Sequence, residues 1–202
     1  MSDSKFKIIA GLGNPGKNYA QTRHNVGFLT IEAIASKSRL FIDKSRFDSD
    51  YVKTKIKGIS LFLIKPLTYM NKSGFPIHRF ASYYKVNMED IIIIHDDMDL
   101  EFGKIKIVKS RGHGGHNGVR SIFNAFGKKD CIRVRIGVGH PKLQKPDSQK
   151  ERSCKNVTGH VLGSFSQDEA KLLDSVIDTA CNASLHIIEN GLTSAMNQYN
   201  TN

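Results

Sequence analysis

The sequence predicts an α/β fold: a single domain over residues 1–202, built on a mixed, largely parallel twisted sheet with helices on both faces. Three observations predict it. Apolar runs of strand length interleave with segments of helical period along the whole chain. Ile91 to Ile94 is an unbroken run of isoleucine, the composition of a strand covered on both faces, as in the interior of a parallel sheet. Lys53 to Lys65 folds back around Lys57-Gly58 as a hairpin, so the sheet is not purely parallel. No repeat or low-complexity linker divides the 202 residues, a length that can bury a sizeable core.

The first strand spans Phe6 to Ala10 and runs into Gly11, Gly13 and Gly16, a literal G-x-G-x-x-G. In a dinucleotide site a helix opens inside those glycines, so that its first amides meet the pyrophosphate. Here Pro15 precedes Gly16, and Lys17-Asn18-Tyr19 shows no apolar period. The amphipathic pattern starts near Asn25, with Val26, Leu29, Ile31 and Ile34 as core positions. The segment is therefore strand, loop, helix, with His24 at the end of the loop. The acid a ribose would need, Asp43 after Leu40-Phe41-Ile42, lies 27 residues beyond Gly16, against the roughly 20 expected.

The hairpin returns through Ile59 to Ile64 and ends at Pro66. Asn71 to Tyr84 has a helical pattern, with Pro76 acceptable in its first turn. After Ile91–Ile94 the chain enters His95-Asp96-Asp97. Lys104 to Ile107 and Ile132 to Ile136 alternate polar and apolar, as half-exposed strands do. Between them a glycine loop from Gly112 to Asn117 leads into a short helix from about Gly118 to Phe126. Residues 139–157, with Pro141 and Pro146, are polar and predict a mobile loop. Ser166 and Glu169 form a capping box that opens a helix reaching Asn190, and Gly191 suits its end.

Charge is concentrated. Between Lys104 and Lys155 stand 14 Lys and Arg against 3 acids, a surplus equal to the chain's entire net charge of +11. A solvated face is the ordinary reading of a charge run, but an excess concentrated in one quarter of the chain fits a polyanionic partner such as nucleic acid. Three scattered cysteines, Cys131, Cys154 and Cys181, fit a reducing compartment and form no zinc pattern. The N-terminal apolar run is too short for a signal peptide, and no stretch approaches a membrane span. The expectation is a soluble cytoplasmic protein.

Polar groups gather where strands end: Asn14 and His24, Asn71, His95-Asp96-Asp97, and His113, His116 and Asn117. Ligands of open α/β sheets bind at such ends. Each group also has an ordinary structural role, Asn14 as a turn residue and Asn25 or Asn71 as helix caps. Asp96, Asp97, Asp99, His113 and His116 could assemble a metal phosphoesterase site, although the two histidines sit among glycines rather than at helical spacing. A metal-free hydrolase is the third possibility, with a histidine as base, a carboxylate holding its ring, and amides as donors. Residue types alone do not choose among these.

The segments GLGNPGKNYAQTRHNVGF, KPLTYMNKSG, HDDMDL, GHGGHNGVRSI, VRIGVGHP and GHVLGSF, in this order, resemble the bacterial-type peptidyl-tRNA hydrolase family. The resemblance implies cleavage of the ester between peptide and tRNA, recycling tRNA from aborted translation, by a monomer that uses no metal or nucleotide cofactor. It implies His24 as catalytic base, Asp96 as its orienting carboxylate and Asn14 as the amide beside it. It implies Asn71 and Asn117 as amides holding the peptide, Tyr19, Met70 and His113 along the same groove, and Lys106 and Arg135 at the tRNA 5′-phosphate end. Val108 departs from a further basic position of the family. Lys109 next to it faces the other way in a strand, which leaves the added Lys and Arg of 145–156 to compensate. A non-catalytic RNA-binding protein on the same scaffold is the alternative.

Overall fold

Alternation along the central strands decides the layering. The structure, a computed structural model, describes residues 6–140 and 154–200. Strand β1 (Lys7–Gly11) pairs in parallel with β4 (Ile59–Pro66) on one side and β5 (Ile91–Asp97) on the other. β7 (Ile132–Gly137) continues the parallel set beyond β5. Both flanks are antiparallel: β3 (Ser49–Ile56) and β2 (Lys44–Arg46) beyond β4, and β6 (Ile105–Lys109) beyond β7. The sheet order is β2-β3-β4-β1-β5-β7-β6. The expected hairpin is β3–β4, with Ile56 opposite Ile59.

Successive residues of the buried strands point to opposite layers. Ile9, Leu63, Ile92, Ile94 and Val134 pack beneath α1 (Val26–Lys37), α5 (Gln167–Asn190) and α6 (Leu192–Tyr199). Ile8, Phe62, Ile64, Ile91 and Ile93 pack beneath α2 (Gly74–Tyr84) and α3 (Asn117–Phe126). Each such side chain contributes about 1.5–3 kcal/mol on burial. A slip of one residue would exchange the two faces, so the register is strongly specified.

The glycine-rich loop serves close packing. A Cβ on Gly11 would lie 2.1 Å from the Gly27 carbonyl oxygen, and one on Gly27 would lie 2.5 Å from the carbonyls of Leu12 and Ile94. Helix α1 therefore starts directly on the tips of β1 and β5. No helix opens at Gly16; a 3₁₀ turn over Lys17–Tyr19 follows it, then a second over Arg23–Asn25. The dinucleotide alternative loses its phosphate-binding helix there. It also loses its acid, since Leu40–Asp43 forms no strand and Phe41 is 83% exposed.

Other expectations need correction. The helix expected from Asn71 starts at Gly74, behind a 3₁₀ turn over Met70–Lys72; Pro76 does fall in its first turn. Alternation in β7 does not leave Arg133 half-exposed, since that side chain is buried. Of the loop expected over 139–157, residues 141–153 lie outside the described residues, while helix α4 (Cys154–Val161) already begins at Cys154. Its apolar signal is little more than Val157 and Val161, too thin to stand out as a period. The short elements β2 and α6 were likewise not anticipated.

Gly27→Ala should cost about 1–3 kcal/mol or more, because backbone on both sides must move; urea unfolding measures it. Gly159→Ala in α4, whose Cβ meets nothing within 4 Å, should show no loss.

Candidate active site

The Arg23–Asn25 turn is tied down from several directions. The Arg23 backbone N–H donates to the Gly163 carbonyl. Its guanidinium donates to the carbonyls of Ser164 (2.7 Å) and His160 (3.3 Å) and to the Glu169 carboxylate (2.5 Å). Glu169 is also the acid of the capping box of α5, accepting the Ser166 N–H at 2.7 Å. Burial pushes its pKa up, but the Ser166 amide and Arg23 outweigh that and hold it below the usual range. Asn25 does not cap α1 with its side chain. Its amide pairs with the backbone of Asn14 in both directions, accepting from the Asn14 N–H (2.8 Å) and donating to its carbonyl (2.9 Å).

This anchoring sets His24 over the end of β5. Its Nδ1 lies 2.8 Å and 2.9 Å from the two oxygens of Asp96. His116 reaches the same carboxylate, Nε2 to Oδ1 at 2.9 Å. Asp96 is 2% exposed. Burial alone would raise its pKa, yet the two imidazoles, by charge and by hydrogen bonding, hold it well below the usual carboxylate range. An ionised carboxylate only accepts hydrogen bonds, so His24 carries a proton on Nδ1. In its neutral form its free lone pair is then on Nε2.

The tautomer of His116 is fixed from the other side. It is the N-cap of α3, and its Nδ1 accepts the backbone N–H groups of Gly118 (3.1 Å) and Val119 (3.2 Å). The proton is therefore on Nε2, where it is donated to Asp96. The nitrogen and oxygen atoms of His24, Asp96 and His116 lie within 4.8 Å of one another, a spacing that could suit a metal ion. The hydrogen bonding leaves His116 no lone pair at Nε2 for that purpose, because its only one is occupied by the helix amides.

These groups open onto a groove with a cavity of about 350 Å³. Asn14, His24, Met70, Asn71, Asp96 and Asn117 all line it. The Asn14 Oδ1 accepts the Met70 N–H at 2.8 Å, which leaves Nδ2 as the donor end of the amide. The Asn117 Oδ1 accepts from Arg120 at 2.8 Å, with the same result. Tyr19 does not line the cavity; it stands edge-on to Tyr69, which does, at 6.4 Å between centroids. His113 does not line it either, and its Nδ1 accepts the Gly115 N–H at 3.1 Å. Of the residues weighed for a metal, Asp96, Asp97, Asp99 and His116 line the cavity, and His113 does not.

Lys106 and Arg135 face each other across β6 and β7. Lys106 is exposed, whereas the Arg135 guanidinium is paired with the carboxylate of Asp97. Val108, opposite Arg133, is buried and presents no charge at the surface. Several residues of the site escaped the sequence reading: Arg23, the pairing role of Asn25, His116 as partner of Asp96, Tyr69, and a wall of Val157, Val161 and Leu162. Only the i, i+4 valines carried a signal; a histidine N-cap is outside the usual capping residues.

Known proteins resemble this chain over nearly its whole length. A sequence model of the family described as peptidyl-tRNA hydrolase matches residues 8–202. A peptidyl-tRNA hydrolase of Thermoanaerobacter sp. (strain X514) is 42% identical over 193 residues, covering 96% of this chain and 98% of the relative. One from Clostridium botulinum (strain Hall) is 38% identical, covering 96% of each. The crystal structure of peptidyl-tRNA hydrolase from Acinetobacter baumannii superposes with a TM-score of 0.88 at 37% identity, covering 100% of this chain and 97% of that one.

The depressed pKa of Asp96 links stability to pH. Its unfolded value is about 3.9. As pH falls below that value, the unfolded chain takes up a proton that the folded one refuses, so the stability present above about pH 4 drains away. Wild type should lose stability more steeply than Asp96→Asn between about pH 4 and pH 2. Urea unfolding at each pH measures this, and parallel curves would contradict the assignment.

Proposed function

The chain belongs to the peptidyl-tRNA hydrolase family and hydrolyses the ester between peptide and tRNA, and we propose that it does so with His24 as general base. The observation that carries this reading is the Asp96 carboxylate on Nδ1 of His24, which turns the Nε2 lone pair into the free end of a ring lining the groove. Water bound there loses a proton to Nε2 while its oxygen attacks the ester carbonyl. Asp96 stabilises the imidazolium that forms. Collapse of the tetrahedral intermediate breaks the bond to the ribose oxygen, which takes the proton back from Nε2. Positioned proton transfer of this kind contributes about 10²- to 10⁴-fold.

Asn14, Asn71 and Asn117 are assigned as amide donors to the developing oxyanion and the peptide backbone. The Nδ2 groups of Asn14 and Asn117 suit this because their oxygens are already engaged. Met70 supplies apolar contact beside them, and Tyr19 acts through Tyr69. His113 is assigned to bracing the glycine loop. Lys106 is the residue of the basic edge that is free to meet phosphate. Arg135 joins it when the RNA competes with Asp97 for the guanidinium. The chain is taken to act as a monomer. Among the described residues no helix is long and apolar enough to cross a membrane. The buried free thiols Cys131 and Cys181 fit the reducing cytoplasm, where translation supplies the substrate.

Incubation with N-acyl-aminoacyl-tRNA in EDTA tests the reading; tRNA bound but left intact would make the chain a binding protein. His24→Ala should lose about 10²- to 10⁴-fold in turnover while still folding, with a lowered thermal melt because the buried Asp96 carboxylate loses one of its two donors. Lys106→Ala should raise KM for peptidyl-tRNA but not for a short ester mimic, with weaker dependence of binding on salt. Equal effects on both substrates would remove Lys106 from the tRNA contact.

A further inference from the structure

We propose that Arg133 is a positioning residue for hydrolysis, fixing the glycine loop that carries His116 and, through His116, the carboxylate that orients His24. This rests on the hydrolase reading above. Arg133 lies in β7 at 2% exposure. Its Nη2 donates to two successive carbonyls of the loop, Arg111 at 3.0 Å and Gly112 at 2.8 Å. Its guanidinium carbon is 5.8 Å from the ring centroid of Phe123 in α3. The one side chain thus touches the chain entering His116 and the helix leaving it.

Besides Arg133, the loop is held by the Gly115 and His116 N–H groups on the Nδ1 and carbonyl of His113 (3.1 and 3.0 Å) and by Ser110 Oγ donating to Asp130 at 3.2 Å, contacts within the segment or at the surface that do not fix it to the sheet. A Cβ placed on Gly112, Gly114 or Gly115 would meet nothing within 4 Å, and Ser110, Gly114 and Gly115 all have positive φ. A loop of this composition has many conformations available, and only a narrow set puts the His116 Nε2 proton on Asp96. Side chains beneath it restrict that set. The buried ring of His95 meets His116 edge-on at 4.6 Å. Burial above all, with the charge of Arg133, pushes the His95 pKa well down, so His95 is a neutral wedge beside the cation.

Stability does not explain the guanidinium. A buried charge costs several kcal/mol, and an apolar side chain of similar volume often serves a core as well or better. Arg133 also leaves Nε without a partner among the described residues. What the guanidinium supplies and an apolar chain cannot is a pair of donors for consecutive loop carbonyls.

The test measures kcat and KM on N-acyl-aminoacyl-tRNA for wild type, Arg133→Lys and Arg133→Met, together with imidazole ¹⁵N spectra of His116. Arg133→Met should lose about 10- to 100-fold in kcat, the cost of misplacing catalytic groups, at unchanged KM. Arg133→Lys, which keeps a cation and a donor, should recover part of that loss. In both, the His116 signals should shift from the Nε2-protonated pattern toward an averaged one. If Arg133→Met does not fold, Arg133→Lys decides by the same readings. A folded variant with wild-type kcat and unchanged His116 signals would overturn the proposal, as would a raised KM at wild-type kcat. If wild type itself leaves the substrate intact, the hydrolase reading falls; if wild type turns over and the variants match it, only the positioning role does.

Discussion

At the tip of β5 an ionised carboxylate is almost wholly withdrawn from water and held by two imidazole N–H groups. An unpaired charge there would cost several kcal/mol, so the groove depends on both donors arriving together. They come from far apart in the chain: His24 from the loop before α1, His116 from the cap of α3. Because the carboxylate can only accept, it dictates where each ring carries its proton. The same constraint that makes Asp96 tolerable in the interior also leaves the Nε2 lone pair as the free end of the His24 ring.

The scaffold meets that constraint with main-chain contacts more than with side-chain bulk. Gly11 and Gly27 let α1 rest on the ends of β1 and β5, which places Arg23–Asn25 above Asp96. Arg23 then couples that turn to Glu169, so one carboxylate both caps α5 and restrains the residue next to His24. On the far side, two amides at the start of α3 determine the tautomer of His116. Helix ends thus set the site twice, once through a cap acid and once through a cap imidazole.

Charge is distributed less simply than its count suggests. The segment from Lys104 to Lys155 holds the chain's whole surplus, yet not all of it faces solvent. Arg133 is buried against loop carbonyls, and Arg135 is engaged with Asp97 at the groove's rim. Lys106 is exposed and available to a polyanion. Part of the basic segment therefore builds the site, and part is left exposed to solvent.

Much of this was legible in the residues themselves. The run Ile91–Ile94 marked a buried central strand, Lys57-Gly58 a hairpin, and Ser166 with Glu169 a helix start, because each reports a local preference of backbone or burial. His24 and Asp96 could be placed at element ends in the same way, but their roles came through resemblance. The sequence by itself determined the order of elements, their buried faces and the sign of the charge. Only the tertiary structure decided that β1 lies between β4 and β5, that His24 meets Asp96 across 72 residues, that His116 joins them, and that Arg133 turns inward. Periodicity records how a residue faces its own element's core; which elements meet, and which polar groups then share one buried charge, is settled by long-range packing.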